Sequence, residues 1–210
     1  MTGSFFSIEW GYDVEKKGES VPLFEQVHGN EILSLKQPRL LEETTEPLPQ
    51  ADGAIAHFSR AEVHVYTADC LPILFFTEEP EGPIAAIHAG WKGVKRGIVQ
   101  KAYRELSHLK KLHVLIGPAI GSCCFAVRED FIQEWTEAGL SPERFLLHKK
   151  NRTYFDLLAY VTQEPLADLP KSNLHLDWFR CTVCSQPPLP SFRRNKSANP
   201  RIKTWIRKTT

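Results

Sequence analysis

The sequence lacks the long apolar run that a secretory signal or a membrane-spanning helix needs. Its start, MTGSFFSIEWGYDVEKKGE, has no basic segment followed by an apolar core, and no later stretch reaches about 18 consecutive apolar residues. The sequence also lacks an excess of one charge, since 26 basic and 25 acidic residues leave a formal net charge of +1. We therefore expect a cytoplasmic protein whose partners are neither membranes nor nucleic acids.

Cysteine is scarce, and its count is odd. Only five of the 210 residues are Cys, and an odd number without a signal peptide favours reduced thiols over a disulfide framework. No repeat or low-complexity linker divides the chain, and a hydrophobic fraction of 42% suits one core. We expect a single domain over residues 1–210 in which any special cysteine serves a metal or catalysis.

Two apolar runs present a cysteine and a histidine at their ends. Cys70 precedes the run 71–76, His88 follows the run 84–87, and both runs are short enough to be buried strands. The two side chains are therefore predicted to meet at one edge of a sheet. His28, further upstream, offers a third donor. Two imidazoles and one thiolate suit zinc, or copper, and leave one coordination position open for chemistry.

The rest of the pattern mixes strands with helices. Apolar alternation and turn residues predict two strands within 23–35 and single strands at 62–66, 112–116 and 173–179. Helices are predicted from residue 94 to 106, around residues 131–135, and after Asp156 as an N-cap. Residues 36–50 are rich in proline and acidic residues and predict an exposed loop, whereas residues 1–20 carry no clear pattern.

The segment after Asp177 is strongly basic. It contains no acidic residue and eight basic ones, namely Arg180, Arg193, Arg194, Lys196, Arg201, Lys203, Arg207 and Lys208. A positive field of this kind would receive an anionic substrate such as phosphate, which the arginine fork matches well. A solvated surface explains the composition equally well.

Six motifs occur in a recognisable order. They are QVHG, ADGAIA, TADCLPILF, IHAGWKG, IGPAIGSCCFAV, and CTVC followed by SFRRN. In this order and spacing, residues 23–205 resemble the laccase-domain, or polyphenol oxidase, family. Members of that family are described as purine nucleoside phosphorylases with adenosine deaminase activity, and older descriptions give them a copper-dependent oxidation of phenols.

The resemblance implies a fold of the α/β (α+β) class, a single domain of mixed β-sheets flanked by helices. It also implies a zinc ion held by His28, Cys70 and His88, so that Cys70 and His88 belong to the catalytic centre. The implied substrates are phosphate and adenosine, inosine, guanosine or methylthioadenosine. Whether the chain forms a homodimer stays open at this point.

Four further residues complete the predicted site. Asp52 and Asp69 are the carboxylates nearest to the proposed ligands in the sequence; we assign Asp69 to proton transfer and Asp52 to substrate binding. Arg193 and Arg194 match a basic element of the family, and we assign both to phosphate.

Several side chains have a simpler explanation. Cys123 and Cys124 are interpreted as packing residues on a turn, and the CxxC pair Cys181 and Cys184 lacks a second pair at zinc spacing, which argues against a second metal site. Trp91 suits either stacking on a purine or packing on the core, and the pattern favours the core.

The chain departs from the family pattern in two places. Near the N-terminus the family carries HGFxTRxGG, whereas this sequence reads SIEWGYD followed by Lys16-Lys17-Gly18. The family's TGR reads Asn199-Pro200-Arg201. These changes leave two alternatives beside the phosphorylase, a copper-dependent phenol oxidase and a catalytically weak metal-binding member. Eight histidines without an HxH pair argue against the oxidase, because multicopper oxidases use clustered ligands.

Overall fold

The structure is a computed structural model that describes residues 1–5, 7–38 and 47–209. Over these residues the chain forms thirteen strands and five α-helices. The strands are β1 (Thr2–Phe5), β2 (Ile8–Glu15), β3 (Ile32–Leu35), β4 (Gly53–Ala56), β5 (Glu62–Thr67), β6 (Leu71–Thr77), β7 (Ile84–Ala89), β8 (Leu112–Ile116), β9 (Ala126–Val127), β10 (Leu146–Lys149), β11 (Arg152–Phe155), β12 (Leu174–His175) and β13 (Arg201–Lys208). The helices are α1 (Trp91–Lys95), α2 (Ile98–Leu106), α3 (Glu129–Glu137), α4 (Leu157–Gln163) and α5 (Phe192–Asn195).

Three sheets organise these strands. The largest is a six-stranded mixed sheet in the order β12-β8-β6-β7-β4-β3, in which only the two outer pairs are parallel. A four-stranded antiparallel sheet has the order β1-β2-β13-β5, and a small sheet has the order β10-β11-β9. The predicted class, a mixed α+β fold with helices flanking several sheets, is confirmed.

The six-stranded sheet is buried on both faces. Along β6, Ile73 and Phe75 pack with the helices, whereas Leu74 and Phe76 pack towards the four-stranded sheet. Because successive side chains of a strand point to opposite faces, a strand covered on both sides needs an unbroken apolar run rather than alternation. This burial explains the run that follows Cys70, and it fixes the ends of β6 and β7 firmly.

Most of the predicted strands lie where the sequence places them. The predictions at 62–66, 71–76, 84–87 and 112–116 are confirmed. Asp156 caps α4 by accepting a hydrogen bond from the backbone N–H of Ala159 at 2.9 Å, as predicted. The predicted helix from 94 to 106 is divided, because Gly97 adopts a left-handed conformation with φ of 83° between α1 and α2.

Other predictions are wrong or incomplete. Residues 23–35 contain one strand rather than two, because Glu25 forms only an isolated bridge to Gln50. The strand predicted within 173–179 shortens to β12, which spans two residues. The predicted loop at 36–50 falls mostly on residues 39–46, which lie outside the described residues; on either side of them, residues 36–38 and 47–49 form neither helix nor strand.

Of the four-stranded sheet, the sequence predicts only β5. Its central strand β13 comes from the basic C-terminal segment and pairs with β2 and β5 over nearly its whole length. Ile202, Thr204 and Ile206 point inward, while Arg201, Lys203 and Arg207 are more exposed. Within the described part of the chain, no helix combines the length and the apolar character needed to cross a bilayer.

Candidate metal centre

The ends of β6 and β7 bring the first two donors together. The two strands are antiparallel with Pro72 opposite His88, so Cys70, two residues before Pro72, lies next to the same end of the sheet. The predicted meeting at one sheet edge is therefore observed. The loop before β3 adds His28, and the donor atoms of His28, Cys70 and His88 all lie within 4.8 Å of one another.

The loop that carries His28 is held in an unusual conformation. His28 has a φ of 60°, in the left-handed region, and its backbone N–H donates to Asp52 Oδ1 at 2.9 Å. Gly93 allows α1 to approach this loop, because a Cβ there would lie 2.7 Å from the carbonyl oxygen of Gly29. Gly90 allows a similar close approach to Cys70, because a Cβ at Gly90 would lie 2.9 Å from Cys70 Sγ. The two glycines of HAGWKG thus permit the assembly of the three donors.

Asp52 orients His88 from behind. Its side chain is fully buried, and its Oδ1 lies 2.7 Å from His88 Nδ1. Burial raises the pKa of Asp52, but the hydrogen bond and charge of His88 and the N–H groups of His28 and Gly29 outweigh it, so the pKa is lowered. An ionised carboxylate only accepts, so Nδ1 carries the proton and Nε2 is left for a ligand or metal.

This buried position argues against the predicted contact between Asp52 and substrate. The carboxylate is absent from the lining of the neighbouring cavity and already accepts hydrogen bonds from His88 and from the backbone of residues 27–29. A carboxylate on the far ring nitrogen of a metal-binding histidine is a common arrangement, which fixes both tautomer and ring orientation. Asp52 therefore fits a positioning role.

Cys70 and His88 form a charged pair. Burial raises the pKa of the Cys70 thiol, but attraction to His88 and hydrogen bonds from His28 and His88 dominate and lower it to about 6. Burial lowers the pKa of His88, but the opposing effects of Cys70 and Asp52 raise it to about 9. The thiolate is the form of cysteine that binds metals, so the donor set suits a soft or borderline cation such as zinc or copper.

A cavity of about 700 Å³ opens beside the three donors. Five cationic side chains line it, namely Lys92, Arg96, Arg193, Lys196 and Arg201. Within the described residues, none of the five has a carboxylate at ion-pair distance, although other lysines and arginines do. Uncompensated cations around a cavity of this size favour an anionic ligand.

Asp69 lines the cavity but is already engaged. Its Oδ1 accepts from the Thr182 hydroxyl at 2.6 Å, and its Oδ2 accepts from the backbone N–H of Arg193 at 2.6 Å. Its own backbone has a φ of 104°, which a non-glycine residue rarely adopts. Asp69 thus joins the start of β6 to the C-terminal segment, and this arrangement does not favour the predicted proton transfer.

The two predicted phosphate-binding arginines separate in the structure. Arg193 lines the cavity, with its guanidinium 5.6 Å from the centre of the Phe125 ring and one N–H donating to the carbonyl of Ala126. Arg194 is absent from the lining and donates to the carbonyls of Thr182 and Val183 at 3.0 and 2.9 Å. Its position therefore argues against the predicted contact with phosphate.

The basic segment predicted from the sequence supplies Arg193, Lys196 and Arg201 to the cavity, whereas Lys92 and Arg96 were missed. Lys92 and Arg96 belong to the segment after His88, where a helix was expected, and Lys196 follows α5. Arg201 stands where the family carries the arginine of TGR, and it stacks on Tyr66 at 4.2 Å. Trp91 lines the cavity and also packs on Phe131, with ring centres 5.1 Å apart, so both of its predicted roles remain compatible with the structure.

The structure supplies the second cysteine pair that the sequence appeared to lack. Cys123 and Cys124 lie next to Cys181 and Cys184, and the four sulfur atoms are within 4.8 Å of one another. The reason given against a second metal site is therefore wrong.

The fold and the site together define a class of α+β protein that places two histidines and one cysteine beside a cationic cavity. The chain belongs to the family described as multi-copper polyphenol oxidoreductase laccase, whose model matches residues 12–208. The resemblance read from the motifs is thereby confirmed.

Two named proteins and one solved structure are similar to this chain. A protein of Aquifex aeolicus named purine nucleoside phosphorylase is 31% identical over 163 residues, which are 76% of this chain and 71% of the relative. Purine nucleoside phosphorylase YlmD of Geobacillus stearothermophilus is 27% identical over 202 residues, which are 87% of this chain and 70% of the relative. The crystal structure of YlmD covers 97% of this chain and 93% of its own, with a TM-score of 0.77 and 22% identity, and so supports the fold.

Proposed function

We propose that this protein is a zinc-dependent purine nucleoside phosphorylase. It would cleave the N-glycosidic bond of adenosine, inosine, guanosine or methylthioadenosine with phosphate, and adenosine deamination would be a second reaction of the same site. The observation that carries the proposal is one cavity that combines the donors His28, Cys70 and His88 with five cations that have no carboxylate partner among the described residues. The names of the relatives in Aquifex and Geobacillus support the same reaction.

The donor set fits zinc. His28, Cys70 and His88 would hold the ion, and three protein ligands with an open fourth position are typical of catalytic rather than structural zinc. When bound, the ion would supply Lewis acidity, which both the departure of a purine and its deamination can use. Asp52 would keep the His88 ring in place and hold the proton on Nδ1 during turnover.

The cations would bind and orient the phosphate. In phosphorolysis a phosphate oxygen attacks C1′ of the ribose, the C1′–N9 bond breaks, and its electron pair leaves with the base, which then takes up a proton. Arg193, Arg96 and Arg201 reach the cavity from three different segments and would hold the dianion against the sugar. Since no carboxylate of the described residues pairs with them, their charge stays available to the substrate.

The aromatic side chains would bind the purine. Trp91, Phe125 and Phe192 line the same cavity, and Phe192 is 53% exposed, which is unusual for a large apolar side chain. Aromatic faces bind a planar base by stacking with little dependence on its substituents. This arrangement agrees with a preference for the purine class rather than for one purine.

A chromatographic assay tests the proposal. Purified, zinc-loaded protein is incubated with adenosine in the presence and absence of phosphate, and the bases and nucleosides are separated. Adenine that forms only with phosphate, in equal amount with ribose 1-phosphate, is the expected result, and inosine would report deamination. The Cys70→Ser variant, purified in the same way, controls for a contaminating host phosphorylase. If the zinc-loaded protein yields neither adenine nor inosine, the proposal is wrong.

Copper-dependent oxidation of phenols is the second candidate, because the description of the family favours it. The donors His28, Cys70 and His88 suit copper as well as zinc. The test is oxygen consumption by the copper-loaded protein with a phenol as substrate. Oxidation that depends on Cys70, together with no phosphorolysis by the zinc form, would favour this alternative.

A further inference from the structure

Four cysteines lie close together where the loop after β8, which borders the cavity, meets the segment before α5. Cys123 and Cys124 lie in the loop that follows β8, and Cys181 and Cys184 lie between β12 and α5. The four Sγ atoms are within 4.8 Å of one another, and those of Cys123 and Cys184 are 3.6 Å apart. All four are free thiols. This cluster has no part in the proposed phosphorolysis.

The spacing of the sulfurs matches a tetrahedral metal site. With four thiolates about 2.3 Å from a zinc ion, the tetrahedron places neighbouring sulfurs about 3.8 Å apart. The separation of Cys123 and Cys184 is close to this value, and the other pairs need to move by no more than about 1 Å. Four thiols this close cannot all ionise unless a cation compensates their charge.

The backbone around the cluster is already fixed. Ala119 and Cys181 form a parallel bridge in which the N–H of Ala119 donates to Arg180 and the N–H of Thr182 donates to Ala119. The N–H of Ser185 donates to the carbonyl of Cys181, so the CTVC segment forms one tight turn that turns both of its sulfurs to the same side.

One backbone group points at a sulfur atom. The N–H of Gly121 donates to Cys181 Sγ at 3.4 Å. Bonds of this kind stabilise thiolates, and they are frequent around metal-bound cysteine. A Cβ at Gly121 would lie 3.4 Å from the Cβ of Cys181, so glycine lets the two loops approach each other.

We propose that Cys123, Cys124, Cys181 and Cys184 bind one zinc ion in a closed tetrathiolate site that fastens the loop after β8 to the CTVC segment. The four thiols release their protons to solvent when the ion binds. With four protein ligands the site has no open position, so its role is structural. Cys123 and Cys184 are exposed, and the ion is therefore accessible to chelators.

The position of the site gives it a consequence for the cavity. Ile120 and Phe125, in the loop after β8, line the cavity, and Thr182 in the CTVC segment donates to Asp69. Arg194 ties the same segment to α5 through the carbonyls of Thr182 and Val183. The zinc would thus hold one wall of the cavity against the β-sheet without touching the substrate.

Metal counting tests the proposal independently of any catalytic activity. Protein is purified in the presence of zinc and a thiol-free reductant and is then desalted. The zinc content per chain is measured by inductively coupled plasma mass spectrometry. We expect about two ions in the natural chain and about one in the Cys181→Ser/Cys184→Ser variant. The Cys70→Ser variant is the matched control, since it loses the ion of the other site and keeps that of the cluster. Equal zinc in the natural chain and in the double variant would overturn the proposal.

A cobalt absorption spectrum tests the site in a way that does not depend on whether the double variant folds. The natural chain is loaded with Co²⁺, and the sulfur-to-metal charge-transfer absorption is compared with that of the single, exposed substitution Cys184→Ser. A tetrathiolate site gives far more of this absorption than a site with one thiolate, so the substitution is expected to remove a large part of it. An absorption that accounts for one thiolate only, already in the natural chain, would contradict the proposal.

Thiol titration addresses the alternative of disulfide bonds. The natural chain, denatured without reductant after removal of metal under argon, is expected to yield all five free thiols. A second sample is isolated from cells without added metal. If this sample yields three or fewer free thiols and its cysteine cluster holds no zinc, the cysteines pair with one another and the proposal is overturned.

Discussion

The two cysteine-containing centres of this molecule differ in what surrounds them. At the first, His28, Cys70 and His88 supply three donors, the buried Asp52 orients one of them, and a cavity with five cations adjoins. At the second, four cysteines face one another, two of them are exposed, and none of the four lines the cavity of the first centre. Three donors beside a cavity suit chemistry, whereas four donors facing inward suit structure.

Replacing Cys70 is expected to have the largest effect and to distinguish the two centres most clearly. Cys70→Ser removes the thiolate that would bind the metal together with the two histidines. We therefore expect kcat/KM for phosphorolysis to fall by more than about 100-fold, which exceeds the typical loss when a residue that only hydrogen-bonds to a metal ligand is replaced. Cys181→Ser, assayed at a temperature where it stays folded, should keep most of the activity. Equal losses in the two variants would show that the centres do not have separate roles.

Removal of the second zinc should appear in stability rather than in chemistry. A ligand present at 100 times its dissociation constant stabilises the native state by about 2.7 kcal/mol, which corresponds to roughly 5–10 °C in Tm for a domain of this length. We therefore expect Cys181→Ser/Cys184→Ser to lower the Tm in zinc by this amount, as measured by calorimetry. A chelator should lower the Tm of the natural chain by removing both zinc ions. In the double variant it should lower the Tm less, because only the zinc ion of the first centre can be removed.

Asp52 tests whether the first centre depends on its buried support. Asp52→Asn removes the negative charge behind His88 while keeping the size of the side chain, and we expect zinc affinity to fall by about 10–100-fold in a competition titration. Asp69→Asn is the matched control, because Asp69 is next to Cys70 but its carboxylate bonds to Thr182 and to the backbone of Arg193. A similar loss of zinc affinity in both variants would count against the positioning role.

The adjacent arginines provide the smallest and most specific test. Arg193→Gln should raise KM for phosphate by about tenfold, because a charged partner of an anion contributes on the order of 1.4 kcal/mol. Arg194→Gln should leave KM within about twofold and lower the Tm, since Arg194 donates to loop carbonyls instead of facing the cavity. Steady-state kinetics with phosphate as the varied substrate measure both. Equal values of KM would mean that Arg193 does not contact the anion.

The core of the first centre could be predicted because its signals are local. Cys70 and His88 each end an apolar run, and two buried strands of that length naturally bring their ends together. Asp52 could not be assigned in the same way, because its contact with His88 depends on how β4 aligns with β7, 36 residues further along. A carboxylate near a motif has the same appearance in the sequence whether it contacts the substrate or a ligand.

The second centre and the lining of the cavity depend on contacts over long distances in the chain. The two cysteine pairs are about 60 residues apart, and neither CC nor CxxC alone indicates a partner. The cations come from α1, the turn after it, α5, the turn after that helix, and β13. In β13 the sequence shows the alternation of Ile202, Thr204 and Ile206, but the neighbouring Arg201, Lys203 and Arg207 give the segment the composition of a solvated tail.

The place of β13 determines the order in which the molecule can be completed. It is the last of the four strands of its sheet along the chain, yet it lies between β2 and β5, which are made much earlier. Until residues 201–208 have left the ribosome, the hairpin of β1 and β2 has no partner strand in the rest of the sheet. The same segment carries Arg201 to the cavity. Synthesis must therefore pass residue 208 before the sheet is complete and the cavity has all five of its cations, and a chain that stops earlier would have an exposed edge on β5 that can pair with other chains.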